Sequence, residues 1–357
     1  MTHKRFVSSA VRLMSAVGAI GAVLWVAPGL AAEPAKAKWK APRIENGVPD
    51  LQGYWTNATI TPFERPEKYG ERLVLTEEEA NQLEHAEAAA VARGNEPTDP
   101  KLGIKDLPHD CGRGFTGVNC GYNGFWVDPG TRLININGER RSSMVVDPPN
   151  GKVPPQTPEA RSRVSGRFAA LRAGAGRSGG GGGADGPEVR SLGERCILSF
   201  GSSAGPPMLP LLYNNNYQIV QTKDAVMILV EMVHDVRVVR LNSKHRPSSV
   251  RTWMGDSIGW WEGETLVVET TNFRPDQSFR ASTQNLKVTE RFTRVDPNQV
   301  LYRFTVEDPE TFTRPFSGEV AMNATSEKIY EYACHEGNVG LSGILSGARA
   351  EEAGAAQ

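Results

Sequence analysis

Two dipeptides place an imidazole beside a carboxylate: His234-Asp235 and His335-Glu336. Each has a further acid upstream, Glu231 for the first and Glu331 for the second. Histidine titrates near neutrality, and an adjacent carboxylate can fix its tautomer, so either pair could serve as a general acid or base. If both pairs faced one space, they could move a proton between two positions of a small molecule. They could also hold a divalent cation, but no H-E-x-x-H or comparable spacing supports a metal. His234, His335, Glu231, Asp235, Glu331 and Glu336 are therefore the candidate catalytic residues, with no metal or other cofactor expected. The plainer alternative for His234 is a core histidine bonded to a backbone carbonyl.

A third cluster runs from Trp253 to Thr265 and contains Trp253, Trp260 and Trp261 beside Asp256 and Glu262. With Tyr217, these rings would suit a wall that stacks on an aromatic or sugar-like ligand. Arg237, Asp256 and Asn338 are the polar residues expected to bind substrate alongside them. The alternative is that the tryptophans simply pack across a barrel mouth. Gly255-Asp256-Ser257-Ile258-Gly259 does not have the spacing of a nucleophile elbow, and no strand-to-helix turn accompanies it, which argues against a serine hydrolase. Glu290-Arg291 and Asp308 with Arg314 read as ion pairs at strand ends, worth little to stability.

These side chains need a frame. Tyr217–Gln221, Ala225–Arg240, Ser248–Met254, Thr265–Thr270, Lys287–Arg294, Val300–Val306 and Lys328–Cys334 are rich in Val, Ile, Thr, Tyr and Phe and are separated by turn signals. No helix of useful length interrupts the run, so a β-α-β arrangement is excluded. The expected fold is mainly β: an antiparallel up-and-down barrel or strongly curled sheet, which removes open edges. Within Ala225–Arg240, period-two alternation puts Glu231, Asp235 and Arg237 on one face. His234 falls on the other with Val230, Met232, Val236 and Val238, the face expected to point inward.

The chain has 357 residues, a formal net charge of −1 and 39% hydrophobic residues. A near-neutral chain has no basic stripe for nucleic acid, and the apolar content suits a folded core. Its 37 glycines and 24 prolines exceed the combined ~12% of ordinary chains and favour a turn-rich fold over a helical bundle. Lys4, Arg5 and Arg12 precede or open an apolar stretch from Val11 to Val26, followed by Pro28 and a small-residue site at Gly29-Leu30-Ala31. Residues 1–31 therefore read as a cleaved secretory signal rather than a membrane anchor. A periplasmic or secreted protein with no membrane span after cleavage is expected. Of the four cysteines, Cys111 would pair with Cys120 and Cys196 with Cys334, since an oxidising compartment favours disulfides over a four-cysteine metal site.

Residues 32–171 read as an irregular N-terminal region, in which the proline-rich residues 32–75, containing the fragment Pro49–Trp55, look like an extended arm with aromatic anchors. Its one helix, 77–93, is opened by a Thr76/Glu79 capping box and stopped at Gly94, with His85 on a solvated face. Residues 172–186, with five consecutive glycines at 179–183, read as a linker. The barrel domain is expected over 187–347 and a flexible tail over 348–357.

The segments Pro49-Asp50-Leu51-Gln52-Gly53-Tyr54-Trp55, Gly255-Asp256-Ser257 through Thr271-Asn272-Phe273, and Glu331-Tyr332-Ala333-Cys334-His335-Glu336-Gly337-Asn338 resemble a family of exported proteins from Gram-negative and soil bacteria. The resemblance implies export and no particular reaction. The C-terminal half is more loosely similar to lipocalin-type barrels, a likeness of fold that does not carry function. The resulting expectation is a periplasmic lyase, hydratase or isomerase that uses His/carboxylate acid–base chemistry on a small apolar or aromatic molecule. A non-catalytic binding protein for a small hydrophobic ligand and a metal-dependent hydrolase are the alternatives.

Overall fold

The computed structural model describes residues 39–94, 101, 129–165, 186–199, 205–275 and 279–355. The expected signal segment, Cys111, Cys120 and most of the glycine-rich stretch lie outside the described residues.

Nine strands close into a barrel. Around the wall they are β1 (Gly53–Thr56), β5 (Asn216–Gln221), β6 (Ala225–Val230), β7 (Val236–Leu241), β8 (Asp256–Glu262), β9 (Thr265–Thr271), β10 (Lys287–Asp296), β11 (Gln299–Glu307) and β12 (Phe316–Ala324). β12 returns to β1, with Trp55 opposite Ala324, and completes the circuit. A short strand β4 (Val145–Asp147) adds to β12 from outside the circuit, and β2 (Asn135–Ile136) and β3 (Glu139–Arg140) form a separate hairpin.

Neighbouring strands are antiparallel except β7 and β8, which run parallel and pair only at Arg240–Ile258 and Leu241–Gly259. The expected mainly-β barrel is therefore present, with one parallel seam in its wall. β10 and β11, by contrast, pair along almost their whole lengths, from Lys287–Glu307 to Asp296–Gln299.

Inward-facing residues follow the two-residue period. Val226, Ile228 and Val230 from β6, Val288 and Phe292 from β10, Tyr302 and Phe304 from β11 and Phe316 and Val320 from β12 are all buried. Trp55 from β1 and Tyr217 from β5 join the same cluster, so side chains fill the interior. Gly318 makes one close contact possible: a Cβ there would sit 2.3 Å from Phe304 Cζ.

Several expected elements differ. Ala225–Arg240 is not one strand but a hairpin: β6 ends at Val230 and the turn at Met232–His234 sends the chain back as β7. Val233 and His234 both adopt positive φ, 64° and 46°, conformations that a β-branched residue rarely takes. Across this turn the buried positions switch from even to odd numbers, which inverts the expected faces. Ser248–Met254 and Lys328–Cys334 are not strands, apart from an isolated bridge at Thr252. The residues expected as an N-terminal arm supply β1, and β8 and β12 were not among the expected strands.

Helix α1 (Glu77–Gly94) has the expected capping box. The Thr76 backbone N–H donates to Glu79 Oε2 at 2.9 Å, and the Glu79 N–H donates to Thr76 Oγ1 at 3.2 Å. His85 on it is exposed. A helical segment α2 covers residues 158–165. Val339–Ala355 forms helix α3, so the expected flexible tail is helical to Ala355. Cys196 and Cys334 are joined by a disulfide across 138 positions, as the cysteine arithmetic suggested. No helix among the described residues is long and apolar enough to cross a membrane.

Candidate functional site: a cleft at the parallel seam

With pairing between β7 and β8 confined to Arg240–Leu241 and Ile258–Gly259, their earlier residues are left on either side of a cleft of about 350 Å³. That volume is within the range of small-molecule sites, roughly 300–1,000 Å³. β7 and the turn before it contribute Asp235, Val236, Arg237, Val238 and Arg240. Residues 252–257 form the other side, including Trp253, Asp256 and Ser257. Gly255 has φ +71°, and a Cβ there would lie 2.7 Å from both Thr270 Cγ2 and the Thr271 carbonyl oxygen, so glycine is required where the chain enters β8.

Arg237 lines the cleft while almost fully buried. Its Nη1 and Nη2 donate to Glu290 Oε1 and Oε2 at 3.0 and 2.6 Å, and the two side chains are 1% and 0% exposed. Burial alone would loosen the Arg237 proton, but the Glu290 carboxylate outweighs it and holds the guanidinium charged. Tyr302 donates its hydroxyl to Glu290 Oε1 at 2.8 Å and accepts the Met208 N–H at 2.9 Å. Burial, then the nearby Glu290, pushes the Tyr302 phenol far above its ordinary range. Arg237 Nε has no hydrogen-bond partner among the described residues.

Two residues before it, Asp235 also lines the cleft. Its Oδ2 is buried and without a partner among the described residues, and burial raises its carboxyl above the usual range despite the opposing effect of His234. Arg237 Nε and Asp235 Oδ2 are thus both closed off from solvent without a bond to any described group. Around them, Val236 and Val238 present apolar surface, 47% and 50% exposed.

The crossover loop, residues 242–255, supplies Arg246, Val250, Thr252, Trp253 and Met254 to the rim. It is fastened mainly at Asp256. Arg240 Nη2 lies 2.9 Å from both Asp256 oxygens, and the Arg246 N–H and His245 Nδ1 each lie 2.9 Å from Oδ2. Burial would raise the Asp256 carboxyl, but these donors outweigh it and hold it below its ordinary value. His245 Nε2 faces Glu269 Oε1 at 3.2 Å, so both contacts are hydrogen bonds when the ring carries both protons. Arg274 stacks over Trp253 at 4.1 Å from the ring centre, and Arg251 donates to the Phe273 and Gln284 carbonyls.

The residues singled out from sequence divide into two groups. Asp235, Arg237, Trp253 and Asp256 are brought together at the cleft. The rest are elsewhere. His234 is exposed on the β6–β7 turn, and His335, Glu331 and Glu336 are exposed near α3, so neither imidazole points into the barrel. Glu231 is buried but has a structural part: its carboxylate accepts the Tyr330 and Asn216 backbone N–H groups, while burial raises its proton affinity. Tyr217 lies in the packed interior and accepts from Asn57 Nδ2 at 3.1 Å. Trp261 packs against the core, and Trp260 donates to Glu262 at 2.9 Å on the exposed side. Asn338 donates to the Glu194 carbonyl at 2.8 Å and lines a different cavity beside the Cys196–Cys334 disulfide.

Sequence reasoning missed Glu290, Tyr302 and His245. Glu290 was paired with the adjacent Arg291, but adjacent strand residues face opposite ways: Arg291 reaches Glu262 outside while Glu290 faces Arg237. Counting alternation along Val288, Glu290 and Phe292 would have shown an acid on an apolar face. Arg314 likewise meets Asp147, whereas Asp308 caps Thr283 and Thr311. Among the described residues, no group of three or more His, Cys, Asp or Glu is arranged to hold a metal ion. Comparison with protein-family models, curated proteins and solved structures finds no significant match to this chain.

Proposed function

We propose that this protein binds a small, partly apolar molecule in the cleft between β7 and β8. The observation that carries the reading is a concavity of about 350 Å³ at the parallel seam, lined by apolar Val236, Val238 and Trp253 together with charged Asp235, Arg240 and Arg246. A cleft of that size, with apolar side chains and a few convergent polar groups, is the usual form of a small-molecule site. An exported location fits this reading. It is supported by the signal-like N-terminus and by a long-range disulfide of the kind found in oxidising compartments.

The test is native mass spectrometry of the purified protein, followed by thermal-shift screening of a small-molecule panel. A bulky Val238→Trp replacement should fill the cleft from a half-exposed position and abolish binding. Compounds retained equally by wild type and Val238→Trp would defeat the assignment.

Acid–base catalysis of the lyase, hydratase or isomerase type is the second reading, and Asp235 is the observation in its favour. A carboxyl whose proton affinity is raised by burial, on a residue lining a cleft, could act as a general acid without a cofactor. In this version the proton passes through Asp235, with His234 only its exposed neighbour. A substrate found by the panel should be turned over by wild type and left unchanged by Asp235→Asn. Turnover that survives this substitution would remove the catalytic reading and leave the binding one intact.

A further inference from the structure

The hydrogen-bond pattern of β7 shows which way its main-chain groups point. Along an extended strand, successive residues turn their N–H and C=O toward opposite edges. The odd-numbered residues of β7 face β6: the Val230 N–H donates to the Asp235 carbonyl and the Leu241 N–H to the Asp224 carbonyl, both at 2.9 Å. The even-numbered residues face β8, and the Asn242 N–H accordingly donates to the Gly259 carbonyl at 2.8 Å. Pairing with β8 begins only at Arg240. The main-chain groups of Val236 and Val238 therefore face the cleft without a strand partner among the described residues. Two donors and two acceptors lie on this open edge, on residues whose Cα atoms are about 7 Å apart. The two valine side chains stand half exposed beside them.

We infer that the cleft takes a short extended peptide segment, which adds as a strand to the Val236–Val238 edge. Its main chain bonds the four open groups, and its alternate apolar side chains lie against Val236 and Val238. Residues 252–257 bound the recess on its other side, which suits a single extended chain better than the wall of a second barrel. Charge selects the peptide further. Arg240 is matched by Asp256, whereas Arg246, its side chain 54% exposed, approaches Asp256 only through Nε at 3.7 Å. Two arginines thus face one acid at that end of the cleft, and the peptide carries an acidic side chain there. Asp235 lies at the opposite end of the edge. The inference rests on the reading of the cleft as the ligand site and narrows its ligand to a peptide.

Two pentapeptides, acetyl-Glu-Val-Thr-Val-Thr-amide and acetyl-Val-Thr-Val-Thr-Glu-amide, cover both directions of pairing and are titrated calorimetrically at neutral pH. Each is repeated with Gln in place of Glu, with every Val nitrogen methylated, and with every Thr nitrogen methylated. At least one unmodified peptide should bind below millimolar concentration. One of the methylation patterns turns its methyl groups toward β7 and should weaken that binding at least about tenfold, as for lost main-chain hydrogen bonds. Gln should weaken it about two- to fivefold. In the protein, Val238→Pro removes the N–H that faces the cleft and none that faces β6, so it should also cost about tenfold, with the melting temperature as the control for folding. If that variant unfolds, the methylated peptides carry the test alone. Binding unchanged by either methylation, binding unchanged by Gln, binding that survives Val238→Trp, or no peptide binding at millimolar concentration would each overturn the strand assignment. So would a dimer in sedimentation that Val238→Pro dissolves, which would give the edge to a second copy of this chain. If the peptides fail while a panel compound is held by wild type and lost in Val238→Trp, the strand assignment falls alone; compounds held equally by both remove the cleft reading itself.

Discussion

Arg237 and Arg240 leave the same strand three residues apart and finish in opposite settings. Arg237 points into the barrel, meets Glu290 away from water and is braced by Tyr302. Arg240 points to the rim, remains partly exposed and shares Asp256 with His245 and the Arg246 N–H. Both are two-bond arginine–carboxylate contacts, yet their consequences differ. Charges removed from water depend on each other almost completely, since losing either leaves an ion stranded in a poor solvent. At the rim, water screens the pair, and its effect is local: it fastens the loop that borders the cleft. The interior pair holds the frame, and the outer cluster holds the entrance.

The largest effect should come from Glu290→Ala. Stranding Arg237 should cost about 3–5 kcal/mol of unfolding free energy, measurable by urea denaturation. The double replacement Arg237→Met with Glu290→Leu should recover most of that loss. A small effect of Glu290→Ala would erase the distinction between interior and rim.

Asp256→Asn should cost less, about 1–2 kcal/mol, because its partners are partly hydrated. It should also change the acid limb of the stability profile. The folded Asp256 carboxyl is held below its ordinary value, so its contribution is present above the unfolded carboxylate pKa and is lost as pH falls through the folded one. The variant should therefore be less sensitive to acid than wild type over that window.

Asp235→Asn should act with the opposite sign. Burial raises the folded carboxyl, so the stability linked to its protonation is present at low pH and lost as pH rises through the folded pKa. At neutral pH the variant should equal or exceed wild type by up to about 1 kcal/mol, with the advantage fading in acid.

The smallest global change belongs to His245→Gln, within about 0.5 kcal/mol. Its signature is local: amide exchange should quicken across residues 242–255 and remain unchanged in β10 and β11. Faster exchange throughout the barrel would mean that the rim cluster supports the whole wall.

The closed mainly-β fold was legible because long alternating strands such as Lys287–Asp296 and Gln299–Glu307 advertise themselves. The capping box of α1 was equally readable, since it is a local code. The parallel seam was not. Nothing in a run such as Ala225–Arg240 announces a turn at Met232–His234 without glycine or proline, and that turn reversed every inward assignment after it. Asp235, Arg237, Trp253 and Asp256, singled out from the sequence, do line one cleft, but their meeting depends on two strands separating, which is a tertiary event. Glu290 escaped because its neighbour Arg291 offered an easier partner along the chain.

Closure by β1 has a consequence for the timing of assembly. Gly53–Thr56 is the first barrel strand to be synthesised, yet its two wall neighbours are Asn216–Gln221 and Phe316–Ala324. As the polypeptide emerges, this four-residue ribbon waits through the production of more than two hundred and fifty further residues before both its flanks are occupied. Contacts so remote along the chain make folding slow and leave adhesive edges bare in the meantime. The ring cannot be fastened until the last strand arrives, so nascent chains halted before Phe316 should be the ones that clump.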